Sequence, residues 1–432
     1  MTTPELESGI APSALHGMRR KIIFLLFLLI AICILDRQIL SVVAPVLKVT
    51  LNLSNTAYGT ILFWFLAGMT LGQIPVGMMI DRIGARVGFI VILCVWSLAS
   101  FGHAFMRSVA QFCILRFFLG LAECGAYSGG TKVIAQWFPP EDRAFAAGIF
   151  NSGSLAGAVV APPLIVYLTL HFGWRAAFLV PSAAGLLWII PWLRTYWEPW
   201  RHPRLQAEVI EQSPVQSTAS RTDPSMLYLL TIPAVWGVIM MRAFASPVTN
   251  FYWYWLPEYL KSQRGMSLQM VGLLAWLPFL AGGVGNLGGG WLSRWMVRRG
   301  HSLHTSRRAL LSGSIGLSAL AVLVPLAKND AVALGLISVA SLGINAYAAN
   351  LIGLLTDLFP HQMLGRITSL TGIGDGLMSM TAMLLTGIVV DHFSYVPVFI
   401  AVGLLPFLAL SAFFVLVRKV RPVVIAPRTS LT

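Results

Sequence analysis

Apolar residues in this chain come in long runs instead of the short alternating stretches of a soluble fold. A run of about 20 apolar residues is what an α-helix needs to cross the hydrocarbon core of a bilayer. Twelve such runs can be read off: 21–47, 58–80, 87–105, 111–136, 143–170, 176–196, 230–259, 268–296, 308–327, 331–358, 364–391 and 395–417. Gly and Pro recur inside them, which membrane helices tolerate because neighbouring helices satisfy the freed backbone groups. A polar segment rich in Pro, Ser and charge separates the sixth run from the seventh. The expected layout is a tail (1–20), six spans (21–196), a linker (197–229), six more spans (230–417) and a second tail (418–432). The predicted fold is an all-α integral membrane protein of twelve helices in two six-helix bundles.

Composition agrees. Of 432 residues, 57% are hydrophobic and 11% charged, against roughly 25% charged in soluble domains. The net charge of +14 raises the question of nucleic acid, and its distribution answers it. With the N-terminus in the cytoplasm, twenty of the 30 basic residues fall on the cytoplasmic side and six (Lys48, Arg107, Arg175, Lys261, Arg264, Lys328) on the other. That is the positive-inside asymmetry of a multi-pass protein with both termini cytoplasmic, so the bilayer is the partner and nucleic acid is not. The four cysteines lie within apolar runs without CxxC spacing, and the histidines lie in or near loops without metal-binding spacing. Neither pattern predicts a disulfide framework, a metal or a cofactor.

Four basic residues remain inside spans: Arg37, Arg116, Lys132 and Arg242. Asp36 precedes Arg37, and Glu123 follows Arg116 by seven residues, about 20° from the same helix face. Ionisable residues within the bilayer are expensive and mark ion or substrate pathways. Spans one and four can face one central cavity, giving two arginines as a cationic mouth with the two carboxylates just below. An arginine grips a carboxylate with a planar pair of donors. A carboxylate in a low-dielectric cavity exchanges protons nearer neutral pH, and a neighbouring arginine opposes that. A substrate anion that occupies the arginines therefore makes protonation easier. Glu123 and Asp36 are the proposed proton carriers, with Arg37 and Arg116 holding the substrate. The competing reading makes these residues structural ion pairs.

The remaining polar residues in spans are ambiguous. Arg242 is either a third carboxylate clamp or the partner of Asp375. Lys132 reads as snorkelling to the interface and Asp357 as interfacial. Gln73, Tyr127, Asn151, Asn286, Asn345 and Asn350 suit a polyol, or they join helices. The aromatic run Phe251 to Trp255 is either an interfacial belt or a sugar-stacking surface.

An internal repeat is visible. GMMIDRIGAR from Gly77 parallels GGWLSRWMVRR from Gly288, and WFPPEDRAFAAGIFNSG from Trp137 parallels LFPHQMLGRITSLTGIG from Leu358. Two halves in the same orientation are a parallel repeat, known from one large class of secondary transporters. GMMIDRIGAR, with Gly77, Asp81, Arg82, Gly84 and Arg86, resembles the loop signature of the major facilitator superfamily. This resemblance implies that fold and a conformational-switch role for the loop. LDRQILSVVAP, LSNTAYG, RFFLGLAECGAY, KVIAQWFPPEDRA, GIFNSGSLAGAVVAPP and FGWRAAFLV resemble the anion:cation symporter family, in particular bacterial hexuronate-type carriers. The narrower resemblance implies proton-coupled import of a sugar acid by a monomer in the bacterial inner membrane, with protons as the coupling ion. The chain departs from the family pattern at Cys33-Ile34, at Ser246 to Asn250 and at Asp375.

A carrier of a simpler mono- or dicarboxylate is the alternative within transport. An enzyme needs a nucleophile with its base, or metal ligands, near one membrane face, and the sequence offers none. A sensor needs a longer tail or an added domain.

Overall fold

The computed structural model describes residues 12–199 and 226–423, all of its regular structure helical. In chain order the helices are α1 (Pro12–Leu51), α2 (Asn55–His103), α3 (Val109–Trp137), α4 (Pro140–Phe172), α5 (Trp174–Thr195), a single turn α6 (Met226–Leu229), α7 (Pro233–Ser262), α8 (Leu268–Leu274), α9 (Leu277–Arg298), α10 (Leu303–Ser318), α11 (Asp330–Leu358), α12 (His361–His392) and α13 (Tyr395–Ala412). A 3₁₀ segment, Ala319–Leu326, prolongs α10, and a π turn, Phe413–Val417, ends α13. Helix starts follow side-chain chemistry. The hydroxyls of Ser54, Ser108, Ser267, Ser302 and Ser394 and the amide of Asn329 each accept a bond from a first-turn N–H, satisfying donors the helix cannot.

Among the described residues, ten helical segments, one of them α8 and α9 together, are long and apolar enough to cross a membrane by length and composition. One of them, α2, has 49 residues, about 73 Å of helix and enough for two crossings. Its direction breaks at Gly84 (φ 84°, ψ 163°), inside the loop expected between the second and third runs. Helix α7, 30 residues long, is not one of the ten. Two crossings by α2 and one by α7 would make up the expected twelve.

The ends of α1, α7, α10 with its extension, and α12 lie at one face, here called the first face. Helix α1 begins at the opposite, second face, where Gly84 also lies. Helices α1 to α5 pack on one another, as do α7 to α13. The two halves meet where α1 touches α7, α2 touches α12, and α4 touches α8 and α9. Helix α1 begins at Pro12, inside the expected tail, and Arg19 on it donates to the Trp137 carbonyl at 2.8 Å. Most of the expected linker and second tail lies outside the described residues.

Candidate functional site

Arg37 and Glu123 form an ion pair across α1 and α3. Arg37 Nε and Nη2 stand 3.1 and 3.0 Å from Glu123 Oε2, while Glu123 Oε1 is buried without a hydrogen-bond partner. Arg116, seven residues before Glu123 on α3, is 0% exposed, and among the described residues no group accepts from its Nε, Nη1 or Nη2. Its Cζ lies 5.6 Å from the centre of the Phe65 ring, and Arg37 Cζ lies 5.7 Å from the same ring. One α2 aromatic thus serves two guanidiniums as a cation–π surface. Tyr254, from α7 in the other half, packs edge-on against Phe65 with centroids 6.1 Å apart.

Asp36 takes no part in this arrangement. Its buried carboxylate accepts from Trp96 Nε1 and, at 3.3 Å, from the Ser100 hydroxyl, both on the second arm of α2. Successive helix residues point about 100° apart, so Asp36 and Arg37 cannot share one face. The expectation that both carboxylates sit below a common cationic mouth is corrected: the pair is Arg37 with Glu123, and Asp36 turns away from it.

A cavity of about 540 Å³ lies between the halves, its wall largely apolar (Leu155, Phe279 and Leu287 among others) but carrying Asn151, Ser152 and Ser154 of α4, Thr249 and Tyr252 of α7, Asn286 of α9, and Ser341 and Asn345 of α11. An adjoining cavity of about 260 Å³ shares Thr249, Asn345 and Ile352 and adds Ser246, Asn250, Arg242 and Asp375. Its lining reaches Leu355, three residues from the end of α11 at the second face. Tyr127 Oη is 2.8 Å from Ser154 Oγ, which links α3 to the cavity wall. Tyr252 Oη is buried and unpartnered beside the cavity. Arg242 Nε donates to Asp375 Oδ2 at 3.1 Å, so of the two readings of Arg242 the structure has the Asp375 pair.

The first face is closed by bonds between the halves. Lys48 Nζ lies 2.5 Å from Glu258 Oε1 and 2.6 Å from Asn55 Oδ1. Asp391 of α12 caps the start of α2, accepting from the backbone N–H groups of Asn55 and Thr56 and from both side chains at 2.7–2.9 Å. Tyr58 Oη donates to the Tyr254 carbonyl at 2.6 Å.

At the second face the GMMIDRIGAR loop is fixed within its own half. Asp81 pairs with Lys132 at 2.8 Å, so Lys132 does not simply snorkel. The Arg86 N–H donates to Glu198 at 3.0 Å. Its guanidinium donates to the carbonyls of Tyr196 and Leu193 and lies over the Trp197 ring. Arg82 is exposed and Gly77 half-buried.

Two further expectations change. Asn350, read as a substrate contact, is fully buried; it accepts from Arg307 at 3.1 Å and donates to the Ala346 and Gly289 carbonyls. Asp357, read as interfacial, is the partner of Arg307 at 2.8 Å. Gln73 lies on the α2–α12 seam, its Oε1 3.0 Å from where a Cβ on Gly372 would sit. Asn151 and Asn286 line the cavity. Phe65, Lys48, Glu258 and Asp391 were not singled out by the sequence, since aromatics and end-of-helix charges are ordinary in membrane spans.

The sequence matches the model of a family described as the Major Facilitator Superfamily over residues 26–303 and again over 302–431. The chain is similar to a hexuronate transporter of Escherichia coli (strain K12), 26% identical over 428 residues and spanning 96% of this chain and 98% of the relative. It is 29% identical to a probable galactarate/D-glucarate transporter of Bacillus subtilis (strain 168), over 95% of this chain and 94% of the relative. In structure it resembles a bacterial homolog of the human lysosomal transporter Spinster in an inward-facing, occupied conformation, with a TM-score of 0.76 at 17% identity, covering 93% of this chain and 97% of that one. It also resembles a D-xylose-proton symporter, with a TM-score of 0.73 at 18% identity, covering 91% and 96%. At these identities the structural likeness is one of fold.

Proposed function

The chain belongs to the major facilitator superfamily, and we propose that this multi-pass membrane protein imports a sugar acid together with at least one proton. It does so by alternating access between the halves 21–196 and 230–417, as a monomer in a bacterial inner membrane with both termini in the cytoplasm. The positive-inside asymmetry supports that orientation. The second face is then cytoplasmic, and the cavity reaches toward it while the first face is latched. Relatives named for hexuronate and for galactarate and D-glucarate transport support the substrate class.

The observation that carries the reading is the set of buried Arg116 and Glu123 with half-buried Arg37. A guanidinium is always charged and prefers a planar carboxylate. Burying it with no acceptor is costly, and a substrate carboxylate relieves that cost. Glu123 competes with the substrate for Arg37. When Glu123 takes a proton, it releases Arg37, and the two arginines grip the anion. When the proton leaves toward the cytoplasm, Glu123 recaptures Arg37 and the anion is displaced. Asp36, held by Trp96 and Ser100, is a second protonatable carboxylate, placed outside this exchange in the state described here. The amides of Asn151, Asn286 and Asn345 and the Tyr252 hydroxyl supply donors and acceptors for the sugar hydroxyls, which a carrier of simple carboxylates does not need.

Proteoliposome uptake of labelled glucuronate and galactarate, with lactate as the simple-acid control and an inward proton gradient, tests the substrate class. Gradient-driven accumulation of a sugar acid in preference to lactate is the expected result. Uptake of lactate without either sugar acid would replace the reading with that of a simple carboxylate carrier.

A further inference from the structure

Arg242 and Asp375 remain unused by this mechanism, although both line the cavity. Their side chains are 36% and 23% exposed, whereas an ion pair that only joins helices in a bilayer is expected to face the bundle interior. The pair repeats the chemistry of the other half: an arginine Nε donates to one carboxylate oxygen at 3.1 Å, in Arg242–Asp375 as in Arg37–Glu123. Asp375 Oδ1 accepts from Ser379 at 3.1 Å, and Arg242 Nη1 lies 3.5 Å from Thr371 Oγ1. Among the described residues, the one strong acceptor of Arg242 is therefore a carboxylate that a substrate could displace.

Depth places the two arginines at a useful offset. The Lys48–Glu258 contact gives α1 and α7 a common level at the first face. Counting back along each helix at 1.5 Å per residue, Arg37 lies about 16 Å below that level and Arg242 about 24 Å below it. The offset of about 8 Å suits a six-carbon chain with a carboxylate at each end, about 6 Å between terminal carbons, once two long side chains reach toward it.

Resting on the sugar-acid reading above, we propose that the cavity is built for a dianionic six-carbon sugar acid. One carboxylate binds Arg37 and Arg116, the other binds Arg242, and Asp375 is the counter-ion the second carboxylate displaces. A monocarboxylate leaves the Arg242–Asp375 pair intact and gains nothing from it.

The test is binding of labelled glucarate to the purified full chain, displaced by unlabelled glucarate or glucuronate. These ligands differ in whether the second terminal carbon is a carboxylate. Wild type is expected to bind glucarate about tenfold more tightly than glucuronate, the scale of a hydrogen bond to a charged group. Arg242→Gln is expected to bring that ratio close to one, and Asp375→Asn, which removes the competing anion, to raise it. The second variant keeps the test decisive if the first does not fold. Equal affinity of wild type for both acids, or a ratio that survives Arg242→Gln or falls in Asp375→Asn, overturns the inference while leaving the sugar-acid reading standing. Binding of neither acid to wild type overturns both.

Discussion

Arg116 is held at 0% exposure with three nitrogens unmatched by any protein acceptor, an arrangement a purely structural residue would not retain. Replacing a buried charge by an apolar side chain of similar volume is often neutral or stabilising. Arg116→Met is therefore expected to leave the thermal unfolding temperature unchanged or raised while weakening sugar-acid binding about tenfold or more. A thermal shift and a binding isotherm on the same preparation check this; a fall in unfolding temperature would mean that Arg116 supports the fold. At this scale the sequence located the chemistry but not its pairing. Arg37, Arg116 and Glu123 stand out because charge is rare in apolar runs. The partner of each depends on rotation about the helix axis, and the Asp36-Arg37 dipeptide hides the fact that its two side chains diverge. Arg242 was undecided for the same reason, since a partner 133 residues away leaves no local trace.

Among the elements, α2 shows what one glycine does. Gly84 has φ 84°, and a Cβ there would lie 2.5 Å from Glu198 Oε1, the carboxylate that also receives the Arg86 N–H. Gly84→Ala is expected to cost about 1–3 kcal/mol, read as a lowered unfolding temperature in detergent. Glu198→Gln, which keeps an oxygen for the Arg86 N–H, is expected to cost less. The loop motif was legible in the sequence, but its anchoring was not, because Glu198 and Trp197 lie in a segment that reads as linker. The seam between α2 and α12 is similar. A Cβ on Gly376 would strike Thr70, and one on Gly387 would strike the Asn55 carbonyl, so close approach there depends on small residues, as elsewhere between membrane helices. Asp391 closes the same seam by capping α2, a favourable place for an anion at a helix N-terminus. In sequence it is only an acidic residue near the end of a span.

The molecule as a whole is latched at the first face, and its smaller cavity reaches toward the second. Lys48–Glu258 and the Asp391 cap join the halves where a state open at the first face must separate them. Asp391→Asn turns an amide N–H₂ toward donors the carboxylate now accepts, and Glu258→Gln removes the charge facing Lys48. Each is expected to weaken the latch by about 1–3 kcal/mol, enough to shift the balance of states about tenfold. Spin labels at Val49 and Gln263, exposed first-face positions on the two halves, report the change. A longer-distance population is expected to grow in either variant, and an unchanged distribution in both would mean these bonds do not hold the closed face. The twelve-run pattern, the repeat and the charge asymmetry made the two-half architecture legible. Which face is closed depends on bonds between residues hundreds of positions apart, which no run of sequence contains.

In the proposed mechanism Glu123 exchanges a proton for Arg37 as the anion binds and leaves. The most direct test of this exchange compares wild type with Glu123→Gln in proteoliposomes, measuring gradient-driven accumulation and gradient-free exchange of the same labelled sugar acid. Glu123→Gln mimics the protonated acid, so accumulation is predicted to fall to the equilibrium level while exchange continues. Accumulation that persists in Glu123→Gln would contradict the account and reduce the Arg37–Glu123 pair to a structural tie between α1 and α3.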